Sequence, residues 1–103
     1  MNETKGILQM IAATNHRIKI ERPTSERLKE LGISNWYSWE CEPDTFDWEY
    51  TMEEMAYFFE GRVKVNTHYG EVEIKAGDLV IFPEGLKCQW TVLEKIRKVY
   101  KFV

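Results

Sequence analysis

The strongest structural signal in this sequence is the stretch Gly77-Asp78-Leu79-Val80-Ile81-Phe82-Pro83-Glu84-Gly85-Leu86-Lys87-Cys88. Its centre, residues 79–82, contains only apolar residues, so we expect a strand that is covered on both faces. A turn containing Gly77 precedes this strand, and a second turn containing Pro83 and Gly85 follows it. The stretch therefore predicts a buried strand between two tight turns, which is typical of an all-β domain.

A β-hairpin is predicted immediately before this stretch, at residues 62–75. Valine, isoleucine and charged residues alternate along both halves, and the turn lies at residues 67–70. The predicted register gives three facing pairs: Val65 with Val72, Val63 with Ile74, and Lys64 with Glu73. The first two pairs share one face, and the third places opposite charges on the other face.

The remaining segments predict one short helix and further strands. Residues 23–32 predict a helix, because Thr24 is a good N-cap and Gly32 a good C-terminal stop. Strands are expected at residues 17–21 before the helix and, among about eight strands after it, at residues 87–93 and 96–102. We expect an N-terminal arm at residues 1–16, with Ile7, Leu8 and Ile11 on one helical face, and one domain at residues 17–103.

Composition excludes several classes of partner and location. The chain of 103 residues fits a single domain, and 14 basic against 17 acidic residues give a net charge of −3. This balance does not favour nucleic acid as a partner, and no apolar run is long enough to span a membrane. Cys41 and Cys88 do not form a CxxC pair. We expect free thiols in a cytoplasmic protein, with a single disulfide bridge as the alternative.

Two glycine-anchored motifs carry a family resemblance. Residues 77–88 have the spacing G-x5-P-x-G-x2-H of the second cupin motif, with Cys88 at the histidine position, and Glu54 and Gly61 keep the E-x6-G of the first motif. The chain resembles a cupin over residues 17–103. It resembles most the small cupins related to the cupin domain of (S)-ureidoglycine aminohydrolase, through Trp36, Trp39 and the segments at residues 46–50 and 88–90. The resemblance implies a double-stranded β-helix, or jelly-roll barrel, here with one short N-terminal helix.

The resemblance also implies where a metal would bind. Cupins use two histidines of an HxH, a glutamate and a later histidine. The matching positions hold other residues: Trp48 and Tyr50, or Asp47 and Glu49, for the paired histidines, and Cys88 for the later one. Only Glu54 is retained, and His16 and His68 fall elsewhere. We therefore expect no metal or other cofactor, and leave open weak metal binding by Glu54 with Asp47 or Glu49.

The interior of the barrel is the candidate site. Alternation along the strands sends Trp48, Tyr50, Glu54, Cys88 and Trp90 to the same interior face. Glu54 and Cys88 are the candidate catalytic residues, and the three aromatic residues are candidates for ligand binding. Aromatic side chains also fill small barrels without any function, whereas a buried glutamate costs several kcal/mol unless it is paired or protonated. The carboxylate is therefore the stronger functional signal.

The outer face is expected to carry the basic residues and a partner surface. Five basic residues alternate with apolar ones on strands and are predicted to be solvated: Arg62, Lys64, Arg97, Lys98 and Lys101. Met55, Tyr57 and Phe59 are predicted to form an exposed apolar patch, which favours a homodimer.

These expectations combine into one leading function and two alternatives. The leading hypothesis is a metal-free cupin that binds a small metabolite in an aromatic pocket, with Glu54 as its anchor or acid–base group. The alternatives are a metal-dependent hydrolase of the ureidoglycine aminohydrolase type and a non-catalytic dimeric binding module. The sequence leaves open whether the protein is an enzyme.

Overall fold

The computed structural model describes residues 17–103. The predicted N-terminal arm, with Ile7, Leu8 and Ile11, lies outside the described residues. The elements in chain order are β1 (Lys19–Glu21), α1 (Ser25–Leu31), a 3₁₀ turn (Ile33–Asn35), β2 (Tyr37–Cys41), β3 (Asp44–Glu49), β4 (Glu54–Thr67), β5 (Gly70–Lys75), β6 (Leu79–Phe82) and β7 (Lys87–Phe102). No helix in this part of the chain is long and apolar enough to cross a membrane.

The strands form one antiparallel sheet around two long central strands. Its order is β1-β6-β4-β7-β2, with β3 paired to β7 and β5 paired to β4. On one edge of β7, the first half pairs with β3 and the second half with β2. On its other edge, both halves of β7 pair with β4. This arrangement confirms the all-β jelly-roll prediction. Six strands follow the helix in place of about eight, since residues 54–67 and residues 87–102 each form one continuous strand.

A local irregularity lets β4 and β7 bend together. The register between them shifts between residues 58 and 63, as at a β-bulge. Gly61 lies in this region with a φ of +97°, and an added Cβ would overlap the backbone carbonyl of Lys95. Glycine is the residue that tolerates both this φ and such a close approach of two backbones. The glycine of the E-x6-G spacing therefore allows β4 and β7 to bend at this point.

Local signals predicted the helix and the hairpin correctly. The Thr24 hydroxyl oxygen accepts a hydrogen bond from the Arg27 N–H at 3.2 Å, and Gly32 ends α1 with a φ of 69°. In the hairpin of β4 and β5, all three predicted pairs are present: Val65 with Val72, Val63 with Ile74, and Lys64 with Glu73.

The core lies along alternate positions of the two long strands. On β4 the side chains of Ala56, Phe58 and Val63 are fully buried. On β7 the same face carries Ile96 and, two positions further, Lys98, which is only 5% exposed. The prediction that Lys98 belongs to the solvated outer face is therefore wrong. Its position on the strand places it on the interior face, and a buried partner stabilises its charge there.

Candidate functional site

A cavity of about 320 Å³ opens between β2, β3, β7 and the loop after β3. Its lining is mostly aromatic and consists of Trp39, Phe46, Trp48, Glu49, Tyr50, Thr51, Met52, Glu54, Trp90, Lys98, Tyr100 and Phe102. Four of the five predicted site residues, Trp48, Tyr50, Glu54 and Trp90, therefore come together in one cavity. Cys88 is not among the lining residues.

A buried ion pair forms the polar part of the cavity wall. The ammonium nitrogen Nζ of Lys98 lies 2.7 Å from Oε2 of Glu54, and both side chains are less than a tenth exposed. Phe58 is the direct cross-strand partner of Lys98, and Glu54 lies four residues before Phe58 on the same face of β4. The long lysine side chain bridges this offset. A buried carboxylate thus has the charged partner that its burial requires.

Aromatic rings surround the ammonium group of Lys98. The distances from Nζ to five ring centroids lie between 5.0 and 5.7 Å, and the rings belong to Trp39, Phe58, Phe82, Trp90 and Tyr100. Ring faces attract a cation at such distances. Burial nevertheless lowers the pKa of Lys98 below its ordinary value, against the opposing effect of Glu54. Loss of the proton from this amine is therefore easier than from a solvated lysine.

The aromatic members of the predicted site differ in their exposure. Tyr50 is buried and stacks on Phe82 with 4.6 Å between ring centroids. Burial, helped by the charge of Glu54, raises the pKa of the Tyr50 hydroxyl well above its usual value, so this phenol stays neutral. Trp90 is buried, and its indole N–H has no hydrogen-bond partner among residues 17–103. Trp48 is half exposed and therefore lies at the mouth of the cavity.

Cys88 does not line the cavity that contains Glu54, although its cross-strand partner Trp48 does. Its thiol donates a hydrogen bond to the backbone carbonyl of Trp48 at 3.6 Å, and it borders a shallower groove that includes Asp47 and His68. Burial raises the pKa of Cys88 to about 11. A thiol that keeps its proton at neutral pH is a poor nucleophile. Of the two residues that the sequence assigned to catalysis, only Glu54 therefore lines the cavity.

We expect Cys88 to react slowly with Ellman's reagent in the folded protein. In a Cys41→Ser variant at pH 8, modification of Cys88 should be at least about tenfold slower than after unfolding in urea, because the buried thiol is protonated. The Cys88→Ser variant, which retains Cys41, is the matched control. Equal rates for Cys88 in the folded and unfolded protein would contradict its burial.

The donor set does not fit a cupin-type metal. Within the described part of the chain, no three His, Cys, Asp or Glu side chains lie close enough to hold an ion. Glu54, the one residue retained from the cupin ligand set, is bound to Lys98. Asp47 and Glu49 are exposed on β3 and do not complete a site with it. The Lys98 ammonium already gives the Glu54 carboxylate a positively charged partner, at 2.7 Å.

Comparison with known proteins identifies the family. A family model that describes the EutQ-like cupin domain matches residues 28–100. The chain belongs to the EutQ-like cupin family. A solved DUF861 family protein from Thermotoga maritima is 49% identical in sequence to this EutQ-like cupin, with a TM-score of 0.82. The match covers 84% of the EutQ-like cupin and 100% of the Thermotoga maritima chain.

Two further relatives are proteins named EutQ. The solved EutQ protein of Clostridium difficile is 24% identical, covers 81% of this chain and 64% of that chain, and has a TM-score of 0.57, which shows a shared fold. The protein named acetate kinase EutQ from Clostridioides difficile (strain 630) is 30% identical over 61 residues, or 59% of this chain. This EutQ-like cupin matches only 39% of the length of that relative.

The residue that sequence analysis missed is Lys98. Its signal was present, because Trp90, Ile96 and Lys98 all occupy even-numbered positions on β7 and such positions face one side of a strand. The charge of Lys98 favours an exposed position, whereas this alternation favours the interior face, and the prediction followed the charge. Alternation had already placed Cys88 and Trp90 inside, and applied to one continuous strand over residues 87–102 it places Lys98 on the same interior face.

Proposed function

We propose that this EutQ-like cupin binds a small metabolite in the aromatic cavity without a metal ion, with Glu54 and Lys98 as the polar recognition groups. The observation that carries the proposal is the ion pair of these two residues on the cavity wall. Buried ion pairs are often no more stabilising than apolar residues of the same volume. An ion pair that faces a cavity is better explained by a ligand than by packing.

The cavity supports a particular class of ligand. Its volume of about 320 Å³ is at the small end of the range for ligand pockets. Aromatic walls favour a flat or apolar body, and the ion pair offers one donor and one acceptor to a single polar head. A carboxylate and an amine in contact can also exchange a proton with a ligand. The chemistry that this site supports is therefore proton transfer on a small polar or aromatic compound.

A thermal-shift screen of small metabolites tests this proposal. A hit that raises the melting temperature of the wild type should bind Trp48→Ala about threefold to tenfold more weakly, because one stacking wall is lost. Tyr69→Ala is the matched control, since Tyr69 is a comparably exposed aromatic residue outside the cavity. If hits bind Trp48→Ala and the wild type equally well, the cavity is not their binding site.

Two other activities receive less support from the site. A metal-dependent hydrolase of the ureidoglycine aminohydrolase type needs ligands that the cavity does not supply. The acetate kinase activity in the name of one relative belongs to a protein of which this chain matches 39%. Of the described residues lining the cavity, Lys98 is the only cation, and Glu54 already neutralises it. Phosphoryl transfer depends on cations and donors that hold phosphate, so we do not extend that activity to this chain.

A homodimer is a further proposal, supported by one apolar surface. Met55, Tyr57 and Phe59 alternate along the outward face of β4 and are half-buried, so the patch is less exposed than the sequence predicted. The rings of Tyr57 and Phe59 are in edge contact, and the Arg97 guanidinium lies 4.6 Å from the centroid of Phe59. Apolar faces of this kind commonly mark contact surfaces.

We expect light scattering at micromolar concentration to give twice the chain mass of 12.3 kDa. Tyr57→Glu should shift the protein toward the monomer, because it places a charge within the proposed interface. Tyr37→Glu, on an exposed residue of β2, is the control. A wild-type mass near 12.3 kDa would overturn the dimer.

A further inference from the structure

Lys98 lines the cavity, and five aromatic rings surround its amine. Of the five rings around Nζ, those of Trp39, Trp90 and Tyr100 line the cavity, whereas those of Phe58 and Phe82 do not. Phe58 and Phe82 are fully buried. Lys98 therefore lines the cavity together with three of the five rings that surround its amine, so a ligand in the cavity would lie next to this side chain.

Three features of this environment suit covalent chemistry at the amine. An amine attacks a carbonyl only when it is uncharged, and the apolar surroundings of Lys98 favour loss of its proton. An acid–base group is in contact with it, because Glu54 Oε2 accepts its hydrogen bond at 2.7 Å. Aromatic walls also limit the water that would hydrolyse an imine.

We propose that Lys98 forms a reversible imine with small aldehydes or ketones that enter the cavity, and that Glu54 transfers the protons. This inference rests on the proposed function, and it specifies carbonyl compounds as the ligand class. Because the walls are aromatic and the space is small, a flat aromatic aldehyde fits the site best.

The steps are those of imine formation, and they balance. Glu54 first takes a proton from the Lys98 ammonium, leaving a free amine and a carboxylic acid. The nitrogen lone pair forms a bond to the carbonyl carbon, and the C=O π electrons move to the oxygen. Glu54 gives its proton to this oxygen and takes one from the new C–N ammonium, which yields a neutral carbinolamine.

Loss of water completes the sequence. Glu54 donates its proton to the carbinolamine hydroxyl, the C–O bond breaks, and water leaves. The nitrogen lone pair forms the C=N bond, so the product is a protonated imine paired with the Glu54 carboxylate. Two hydrogens of the original ammonium leave in the water, and no oxidant or reductant takes part.

Reductive trapping with benzaldehyde and sodium cyanoborohydride tests the proposal. We expect peptide mass mapping at neutral pH to find the benzyl group on Lys98 at least about tenfold faster than on the exposed Lys75 and Lys87. This comparison is made within the wild-type protein, so it does not depend on a variant that folds. Modification of Lys75 and Lys87 with Lys98 unmodified would overturn the proposal.

Variants separate proton transfer from a structural role of the pair. Glu54→Gln keeps a hydrogen-bonding oxygen beside Lys98 but cannot transfer protons, so labelling of Lys98 should slow by at least about tenfold. Labelling of Lys98 in Glu54→Gln at the wild-type rate would show that Glu54 has no part in the step. Lys98→Arg retains a cation, and the label should be absent from that peptide.

A non-carbonyl analogue distinguishes failure of the imine from failure of the binding site. Benzyl alcohol has nearly the shape of benzaldehyde but forms no imine. If benzyl alcohol stabilises the wild type but not Trp48→Ala, and Lys98 still resists labelling, the imine proposal fails and ligand binding stands. If benzyl alcohol stabilises the wild type and Trp48→Ala equally and Lys98 resists labelling, the cavity does not bind this class of aromatic ligand, and both proposals fail for it.

Discussion

Replacing Lys98 with methionine is expected to lower the free energy of unfolding by about 3–5 kcal/mol, because Glu54 would lose its charged partner in a buried position. Methionine has nearly the length of the lysine side chain and introduces no polar group, so the loss arises from the uncompensated carboxylate. Urea denaturation followed by tryptophan fluorescence measures the effect. The Lys101→Met variant, three residues further along β7 and on its opposite face, is the matched control and should change stability by less than about 0.5 kcal/mol.

The double variant Glu54→Leu/Lys98→Met separates this explanation from simple loss of packing. With both charges removed, stability should return to within about 1 kcal/mol of the wild type, since apolar residues of similar volume replace buried ion pairs without loss. A double variant as unstable as Lys98→Met alone would mean that packing, and not the unpaired charge, causes the destabilisation.

The second large effect is expected at Gly61, where the backbone of β7 leaves no room for a side chain on β4. Gly61→Ala should lower the free energy of unfolding by about 3 kcal/mol or more, because the residue has a positive φ and the new methyl group would overlap the backbone of Lys95. Backbone atoms on both strands would have to move, and the bend of the barrel depends on them.

Gly85→Ala is the matched control for Gly61. Gly85 also has a positive φ, +86°, but an added Cβ would meet nothing within 4 Å. We expect only the conformational cost, about 1 kcal/mol. The difference between the urea midpoints of the two variants therefore measures the steric overlap at Gly61, because both variants share the cost of a positive φ. Equal midpoints would show that the close contact at Gly61 is absent.

Local rules predicted the parts of the fold that depend on neighbouring residues. The register of the β4–β5 hairpin followed from alternation and a short turn, and α1 followed from its caps at Thr24 and Gly32. The continuity of β7 did not follow, because Glu94 and Lys95 resemble a turn between two strands. In the structure they lie at the bend, opposite the bulged part of β4, which a single strand's sequence does not reveal.

The sequence predicted which strand face carries the site residues, but not where along the barrel the cavity lies. Alternation put Cys88 and Trp90, which are both buried, on the inner side of β7. It did not indicate how far along the barrel the cavity extends, so Cys88 was grouped with Glu54 although it lies outside the cavity, and Trp48 was placed inside although it lies at the mouth. The pairing of Glu54 with Lys98 joins residues 44 positions apart, and such contacts arise from tertiary packing alone.

Crystals soaked with the hits of the metabolite screen provide the most direct test of the central claim, that the cavity with the Glu54–Lys98 pair binds a small molecule. We predict electron density for the ligand between Trp48 and Tyr100, with a polar atom within hydrogen-bond distance of Lys98 Nζ or a Glu54 carboxylate oxygen. Ligand density at other positions, with this cavity empty in every soaked crystal, would contradict the claim.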